Sequence, residues 1–388
     1  MMGGVEKNTA TQANYFEQTM GHTTWYLATR PSNPNNRPDA KRQFYLPALG
    51  EIVSTIPENV EFFKNFLKEH NIDVVINQMG MDPEVSRLAY HARSVGAKLL
   101  SVPRCSINGH IKHARYTRYG MLKKYHVGFL APLLSLGVSQ KIVRMIHKRK
   151  FKGHLQEVCA NSDWFIVLSE QHKAEIADYL GQCPSNVIAI NNPYPFAGVG
   201  TVDLSAKEKE ILFVGRFDST YKRPDFAVRI WAKLFREFPD WTFRMLGDGP
   251  EFNNTVTLAK KLKVERVIFE GFKKSEEFYP KASLLMMTST SEGFPMTLVE
   301  SQGAGCVPLA FQSFSSVVDI IDDGKNGVLV KPFDCDLYAK KLASLMKDDA
   351  RRREMAINAV EKSKEFVTEK IYGKWLAVFD SLFSQAKN

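Results

Sequence analysis

Short apolar runs alternate with amphipathic stretches along most of this chain. Thr23–Thr29, Val74–Gln78, Leu99–Val102 and Trp164–Ser169 are dense in apolar residues, many β-branched or aromatic, and predict strands. Glu58–His70, Pro83–Val95 and Glu170–Leu180 carry the three-to-four spacing of helices. Beyond residue 207 the alternation is cleaner, with strands predicted at 209–215, 241–246, 266–270, 284–290, 307–310 and 327–330 and helices between them. Near-continuous apolar strands separated by helices predict parallel sheets covered on both faces. The expected fold is therefore α/β, with two doubly wound, Rossmann-like domains. Asn191-Asn192-Pro193 interrupts the pattern, and Pro193–Lys207 is rich in Pro, Gly and small polar residues, as a linker would be. The expected domains are residues 1–195 and 208–364, followed by a terminal helix within 365–388.

Composition narrows the class. At 388 residues two domains are expected, and 44% hydrophobic with 24% charged residues is an ordinary globular balance. No apolar run reaches the ~18 residues of a membrane helix, and the N-terminus has no signal-peptide core. Cys105, Cys159, Cys183, Cys306 and Cys335 are scattered, with no C-x-x-C pair. That pattern suits a reduced, cytoplasmic protein without a zinc site. The net charge of +10 changes the picture more, because Arg104–Gln156 holds twelve Lys or Arg and no Asp or Glu. A patch of this kind implies an anionic partner. Tyr116, Tyr119 and Tyr125 interleave with the cations, Val127–Leu136 is apolar, and Lys148-Arg149-Lys150-Phe151-Lys152 follows. Basic residues beside apolar ones suit the surface of an anionic membrane; the Tyr and Arg could instead stack on single-stranded nucleic acid.

The candidate chemistry lies at predicted strand ends. Glu292 and Glu300 stand eight positions apart, one in the loop after the 284–290 strand and one on the next helix. Pro295 suits the first position of that helix, and the helix's first amides offer an anion site. Arg216 follows the 209–215 strand, and Lys222 comes six residues later. Such cations would bind a diphosphate, leaving the carboxylates for neutral hydroxyls. A nucleotide-sugar has that chemistry.

Gly215-Arg216 with Lys222, Leu246-Gly247-Asp248-Gly249, Phe269-Glu270-Gly271-Phe272, and Glu292-Gly293-Phe294-Pro295 with Glu300 occur in the order and spacing of family 4 retaining glycosyltransferases. The chain resembles that family from about Gly3 to its C-terminus, most strongly over 209–332. The resemblance implies a B-type glycosyltransferase fold, its two domains facing across a cleft. It implies that Arg216 and Lys222, with Gly215 beside them, hold the donor's diphosphate. Glu292 would contact the donor sugar and Glu300 the ribose hydroxyls. The backbone of Gly293, Phe294, Pro295, Met296, Thr297 and Leu298 would meet the phosphates, with Gly247 and Phe272 flanking the base. Gly3 and Gly4 resemble the family's first glycine loop, but the central strand expected before them is missing, which suggests a start placed too late or a rearranged domain. Where the family often carries a His near the reacting sugar, this chain has Pro103-Arg104, and His110 or His113 is the expected substitute. The last helix would cross back onto the first domain through Phe366, Tyr372, Trp375, Leu376, Phe379 and Leu382.

The expected reaction is sugar transfer from a UDP- or GDP-sugar to an acceptor hydroxyl with retention, the leaving phosphate taking the acceptor's proton. No metal or other cofactor is expected. The acceptor would be a lipid-linked or other glycan, in bacterial surface-polysaccharide assembly at the inner face of the membrane, with residues 104–156 on the lipid and no nucleic acid bound. A sugar phosphorylase or nucleotide-sugar epimerase of the same fold, or a non-catalytic nucleic-acid-binding protein, are the alternatives.

Overall fold

The computed structural model describes residues 4–29, 42–48, 52–109, 137–194 and 202–384. They form two compact units. Unit 1 draws on Met1–Cys105, Arg149–Pro195 and Ile371–Asn388, and unit 2 on Ser106–Lys148 and Phe196–Lys370.

The first part of the chain supplies α1 (Gly4–Gln18), β1 (Tyr26–Ala28), β2 (Gln43–Tyr45), α2 (Pro57–Glu69), β3 (Val74–Asn77), α3 (Pro83–Tyr90) and β4 (Lys98–Ser101). Then come α4 (Gly137–Asn161), β5 (Trp164–Val167), α5 (Glu170–Leu180) and β6 (Val187–Ala189). Strands β3-β4-β5-β6 form a parallel sheet in that order, while β1 and β2 pair separately. Among the described residues no strand joins the two sheets. Helix starts follow local chemistry: Asp82 caps α3 by accepting from the Glu84 and Val85 amides, and Pro83 opens it. Ser169 caps α5, and Gly181 ends it at φ +94°. The helix predicted over Pro83–Val95 stops at Tyr90 and continues as a single tight turn, Arg93–Val95, closed by left-handed Gly96. Gly4 opens α1, a helix that the sequence pattern did not signal; Gly3 lies outside the described residues.

Unit 2 contains β7 (Glu208–Val214), α6 (Pro224–Trp231), β8 (Thr242–Leu246), α7 (Phe252–Lys261), β9 (Val267–Gly271) and β10 (Ala282–Met287). It continues with α8 (Met296–Gly303), β11 (Val307–Phe311), α9 (Val317–Ile320), β12 (Val328–Val330), α10 (Cys335–Lys347) and α11 (Asp349–Ser363). The sheet is parallel throughout, in the order β12-β11-β10-β7-β8-β9. Ile211, Phe213, Phe243, Met245, Leu284 and Met286 are buried against Trp231, Trp241 and Leu342. Each such side chain contributes roughly 1.5–3 kcal/mol by leaving water. The strand order reverses between β7 and β10. Open α/β sheets bind ligands at that reversal, outside the carboxyl ends of the strands.

The chain ends in α12 (Thr368–Ser384). From Ile371 onward it belongs to unit 1, where Tyr372 stacks on Tyr15 at 3.9 Å between ring centroids and Trp375 and Phe379 pack edge-on to Phe16. Trp164 donates its indole N–H to Ser381 Oγ at 3.0 Å. Two residues expected on this stripe lie elsewhere. Leu376 is exposed, and Phe366 precedes the helix and packs on Phe294 inside unit 2.

Candidate active site

The loops after β7 and β10 meet at the strand reversal, and backbone ties hold them together. Asp218 Oδ1 accepts from the amides of Thr220, Tyr221 and Lys222, folding residues 218–222 into a tight Asx turn. Thr288 Oγ1 donates to the carbonyls of Lys222 and Arg223. Thr290 returns the tie, its amide donating to Tyr221 O at 2.7 Å and its hydroxyl to Thr220 O at 2.6 Å. These bonds explain why β10 ends at Met287 rather than continuing to residue 290 as the apolar pattern predicts. Thr288–Thr290 turn their hydrogen-bonding groups to a neighbouring loop instead of a strand.

The ties bring Lys222 to Glu292. Lys222 Nζ lies 2.6 Å from Glu292 Oε1, with both side chains mostly buried. The sequence reading assigned these residues to different parts of one ligand; in the free protein they neutralise each other. Arg216, at the end of β7, is exposed, and among the described residues no carboxylate pairs with it. The following cation, Arg223, has a structural setting. It takes a left-handed conformation (φ +52°) before α6, and its guanidinium is forked onto Asp225 and stacked on Phe226.

The neighbouring edge allows almost no side-chain volume. Gly247 has φ +133°, and a Cβ there would collide with the Gly215 carbonyl. Gly247 N–H donates to Gly271 O at 2.8 Å, and Phe217 N–H to Asp248 O at 2.9 Å, so the ends of β7, β8 and β9 are stitched together. Phe272, just past this edge, is 64% exposed at the carboxyl end of β9.

Helix α8 begins beside Glu292. Pro295 is its cap rather than its first residue, as the sequence reading had it. Met296 and Thr297 therefore present the first amides, which have no acceptor within the helix. Leu298 N–H already donates to Pro295 O at 3.1 Å and so leaves the expected amide set. The Phe294, Pro295 and Leu298 side chains are buried, and only backbone could face a ligand there. Gly293 lies in the loop between Glu292 and the helix. On α8, Glu300 Oε2 accepts from Tyr279 Oη at 3.2 Å. Tyr279 is fully buried, and burial together with the Glu300 charge pushes its hydroxyl far above the usual phenol value. The phenol thus stays a donor and fixes the carboxylate. Tyr279 carries no motif; it precedes a strand, and nothing in its sequence context signals the contact.

His110 and His113 lie outside the described residues. The segment before them, Ser106–Gly109, belongs to unit 2, and Gly109 rests so closely on Ser291 that a Cβ would strike its hydroxyl. Among the described residues no three His, Cys, Asp or Glu side chains converge as a metal site.

Residues 202–362 match the family Glycosyl transferases group 1, and unit 2 carries a domain of that family. An alpha-1,4-N-acetyl-D-galactosaminyltransferase of Campylobacter jejuni, named for an undecaprenol-linked substrate, is 29% identical over 199 residues, covering 51% of this chain and 54% of that protein. The amylovoran biosynthesis glycosyltransferase AmsD of Erwinia amylovora is 28% identical over 199 residues, covering 49% and 55%. The chain spans about half the length of these curated relatives. Among solved structures, a glycosyltransferase from Rickettsia africae superposes with a TM-score of 0.71 at 16% identity, covering 98% of this chain and 95% of that one. The lipopolysaccharide outer core galactosyltransferase WaaB superposes at 0.67 and 18% identity, covering 99% and 96%. The fold is thus that of B-type glycosyltransferases: α/β, with parallel sheets in two Rossmann-like units.

Proposed function

We propose that this protein is a retaining glycosyltransferase that moves a sugar from a UDP- or GDP-sugar to an acceptor hydroxyl on a lipid-linked or other surface glycan. The observation that carries this reading is the Lys222–Glu292 pair at the strand reversal, 2.6 Å apart and flanked by exposed Arg216 and the first amides of α8. A diphosphate arriving there draws Lys222 away from Glu292, and the released carboxylate accepts from sugar hydroxyls. Glu300, held by Tyr279, accepts from the ribose. The bond from the anomeric carbon to the diphosphate oxygen breaks, the bond to the acceptor oxygen forms on the same face, and the acceptor's proton passes to the departing phosphate. Arg216, Lys222 and the Met296 and Thr297 amides stabilise the negative charge that develops, a role that grows in a water-poor site. In this reading the two cations do the work of a metal.

The relatives named for amylovoran and for an undecaprenol-linked glycan support an acceptor at a membrane. Helix α4 supports the same setting. Ile142, Met145 and Ile146 are exposed on it, and Lys141, Arg149, Lys150 and Lys152 are exposed along the same helix. Apolar and basic groups on one helix suit the cytoplasmic surface of an anionic membrane. No described helix is long and apolar enough to cross one.

The test begins with thermal shifts against a panel of UDP- and GDP-sugars. The donor so found is then incubated with lipid-linked glycan acceptors, and the anomeric configuration of the product is read by proton NMR. An inverted product would overturn retention, and failure of every nucleotide to stabilise the protein would overturn the donor site.

A further inference from the structure

The carboxyl edge of the unit 1 sheet holds a cation that nothing above uses. Arg104 follows β4 and Pro103, and its guanidinium is gripped by three segments. Nε donates to Gln78 Oε1 at 2.6 Å, Nη1 to Asn192 Oδ1 at 2.7 Å, and Nη2 to Gln12 Oε1 at 3.2 Å. Gln78 comes from the loop after β3, Asn192 from the loop after β6, and Gln12 from α1. Gln78 also donates to Gln12 at 3.0 Å, which locks the amides to one another.

All three acceptors are neutral. Elsewhere this chain gives its enclosed arginines carboxylates: Arg223 has Asp225 at 2.8 Å, and Arg244 has Glu210 at 2.8 Å. Arg104 has none among the described residues, and its surroundings push the guanidinium down to about 10. An enclosed charge without a counter-charge is costly unless something pairs with it. Three of a guanidinium's five N–H donors are used, which leaves one on Nη1 and one on Nη2. Two oxygens of a single oxyanion fit such a pair.

A second observation points the same way. The Tyr372 hydroxyl is buried, lies close enough to Arg104 for the two to interact electrostatically, and has no hydrogen-bond partner among the described residues. Its ring is fixed by stacking on Tyr15. A fork for two oxygens and a phenol for a third suit a phosphate better than a carboxylate.

We propose that Arg104 and Tyr372, positioned by Gln12, Gln78 and Asn192, form a phosphate subsite in unit 1. Resting on the glycosyltransferase reading, this makes the acceptor a phosphorylated one, either a soluble sugar phosphate or a lipid phosphate. The experiment is calorimetric titration of inorganic phosphate into the full chain saturated with UDP. R104Q is expected to weaken phosphate at least tenfold while UDP affinity stays within twofold. R104K, which keeps the charge and loses the fork, should fall between. Y372F removes a hydroxyl with no partner among the described residues, so it should leave the melting temperature unchanged or higher and still weaken phosphate about threefold. This variant also keeps the test readable should R104Q fold poorly. Equal phosphate affinity in the wild type and Y372F, and in R104Q where it folds, would overturn the subsite. Failure of the wild type to bind UDP would instead count against the donor site and leave the phosphate arm to be read alone. Competition then separates the sources: a short-chain prenyl phosphate displacing inorganic phosphate at lower concentration than glucose 1-phosphate assigns a lipid acceptor, and the reverse order a soluble one. Displacement by neither would overturn the assignment to an acceptor.

Discussion

Replacing Lys222 with Ala and Glu292 with Gln, singly and together, separates the two halves of the proposed donor site. At 2.6 Å the gross attraction between the groups is about 6 kcal/mol for an effective dielectric of about 20. Desolvation of two mostly buried groups offsets most of that, leaving a net contribution of about 1–2 kcal/mol. Glu292→Gln releases the lysine, so the fold loses a little stability while the cation becomes fully available to phosphate. UDP should then bind as tightly as before or tighter. Lys222→Ala removes a charge-assisted contact, about 1.5–3 kcal/mol, so the Kd for UDP should rise roughly ten- to 150-fold. It also leaves Glu292 uncompensated close to the diphosphate, which adds repulsion. The double variant should therefore bind UDP better than Lys222→Ala alone, with a coupling of about 1 kcal/mol. Titration calorimetry with UDP and GDP at one salt concentration measures all four corners. A second series with the sugar-bearing donor should show Glu292→Gln weakening or slowing that ligand selectively. Unchanged UDP affinity in Lys222→Ala would remove the lysine from the diphosphate. An equal loss of bare UDP in both single variants would refute the division of roles.

Glu300→Ala should abolish most of the preference for UDP over 2′-deoxy-UDP, and Tyr279→Phe, which removes the phenol donor, should weaken UDP by about 1 kcal/mol; a preference that survives Glu300→Ala would move the ribose elsewhere. Gly247→Ala drives a Cβ into the Gly215 carbonyl at a positive φ, so it should lower stability by more than ~2 kcal/mol in urea unfolding and lose UDP binding with it; a neutral result would mean the edge is looser than its hydrogen bonds imply. Activity should persist in EDTA if, as proposed, Arg216 and Lys222 neutralise the diphosphate, and a rate restored only by added Mg²⁺ would contradict that. Co-sedimentation with anionic vesicles should fall steeply as salt rises and fall again when Met145 and Ile146 become Asp, whereas equal binding to neutral vesicles would refute membrane docking through α4.

The parts of this fold legible in the sequence are those where one local rule dominates. β10 and the Ile211–Phe213 part of β7 are apolar runs buried on both faces, β8 alternates buried and half-buried positions, and α5 has a serine cap and a glycine stop, so each is readable within a residue or a few of its true ends. β2 and β6 are three-residue strands, too short to set a period, and the polar α1 resembles a loop in composition. The placement of Lys222 and Glu292 in the loops after β7 and β10, and of Glu300 on α8, is legible because charged groups interrupt apolar runs there. The groups that aim them are not. Thr288 and Thr290 act on the backbone of a segment some 70 residues away, and such a bond leaves no mark in either segment.

The two cations at the reversal differ in a way that bears on how the site works. Lys222 is held by an Asx turn and by two threonines bonding to its loop, so its position is fixed before any ligand arrives. Arg216 is exposed, and ordering its side chain costs up to about 2 kcal/mol. In the proposed mechanism the fixed cation sets where the diphosphate lands, and the exposed one follows it as negative charge builds on the leaving group. Glu292 completes this arrangement, because its charge prevents Lys222 from standing uncompensated when the site is empty. An empty site with a bare lysine would take up any phosphate. One whose lysine is already paired favours a ligand that satisfies both partners, with an anion for Lys222 and hydroxyls for Glu292. On the proposed reading, selection for the joined nucleotide and sugar is in this way built into the resting ion pair.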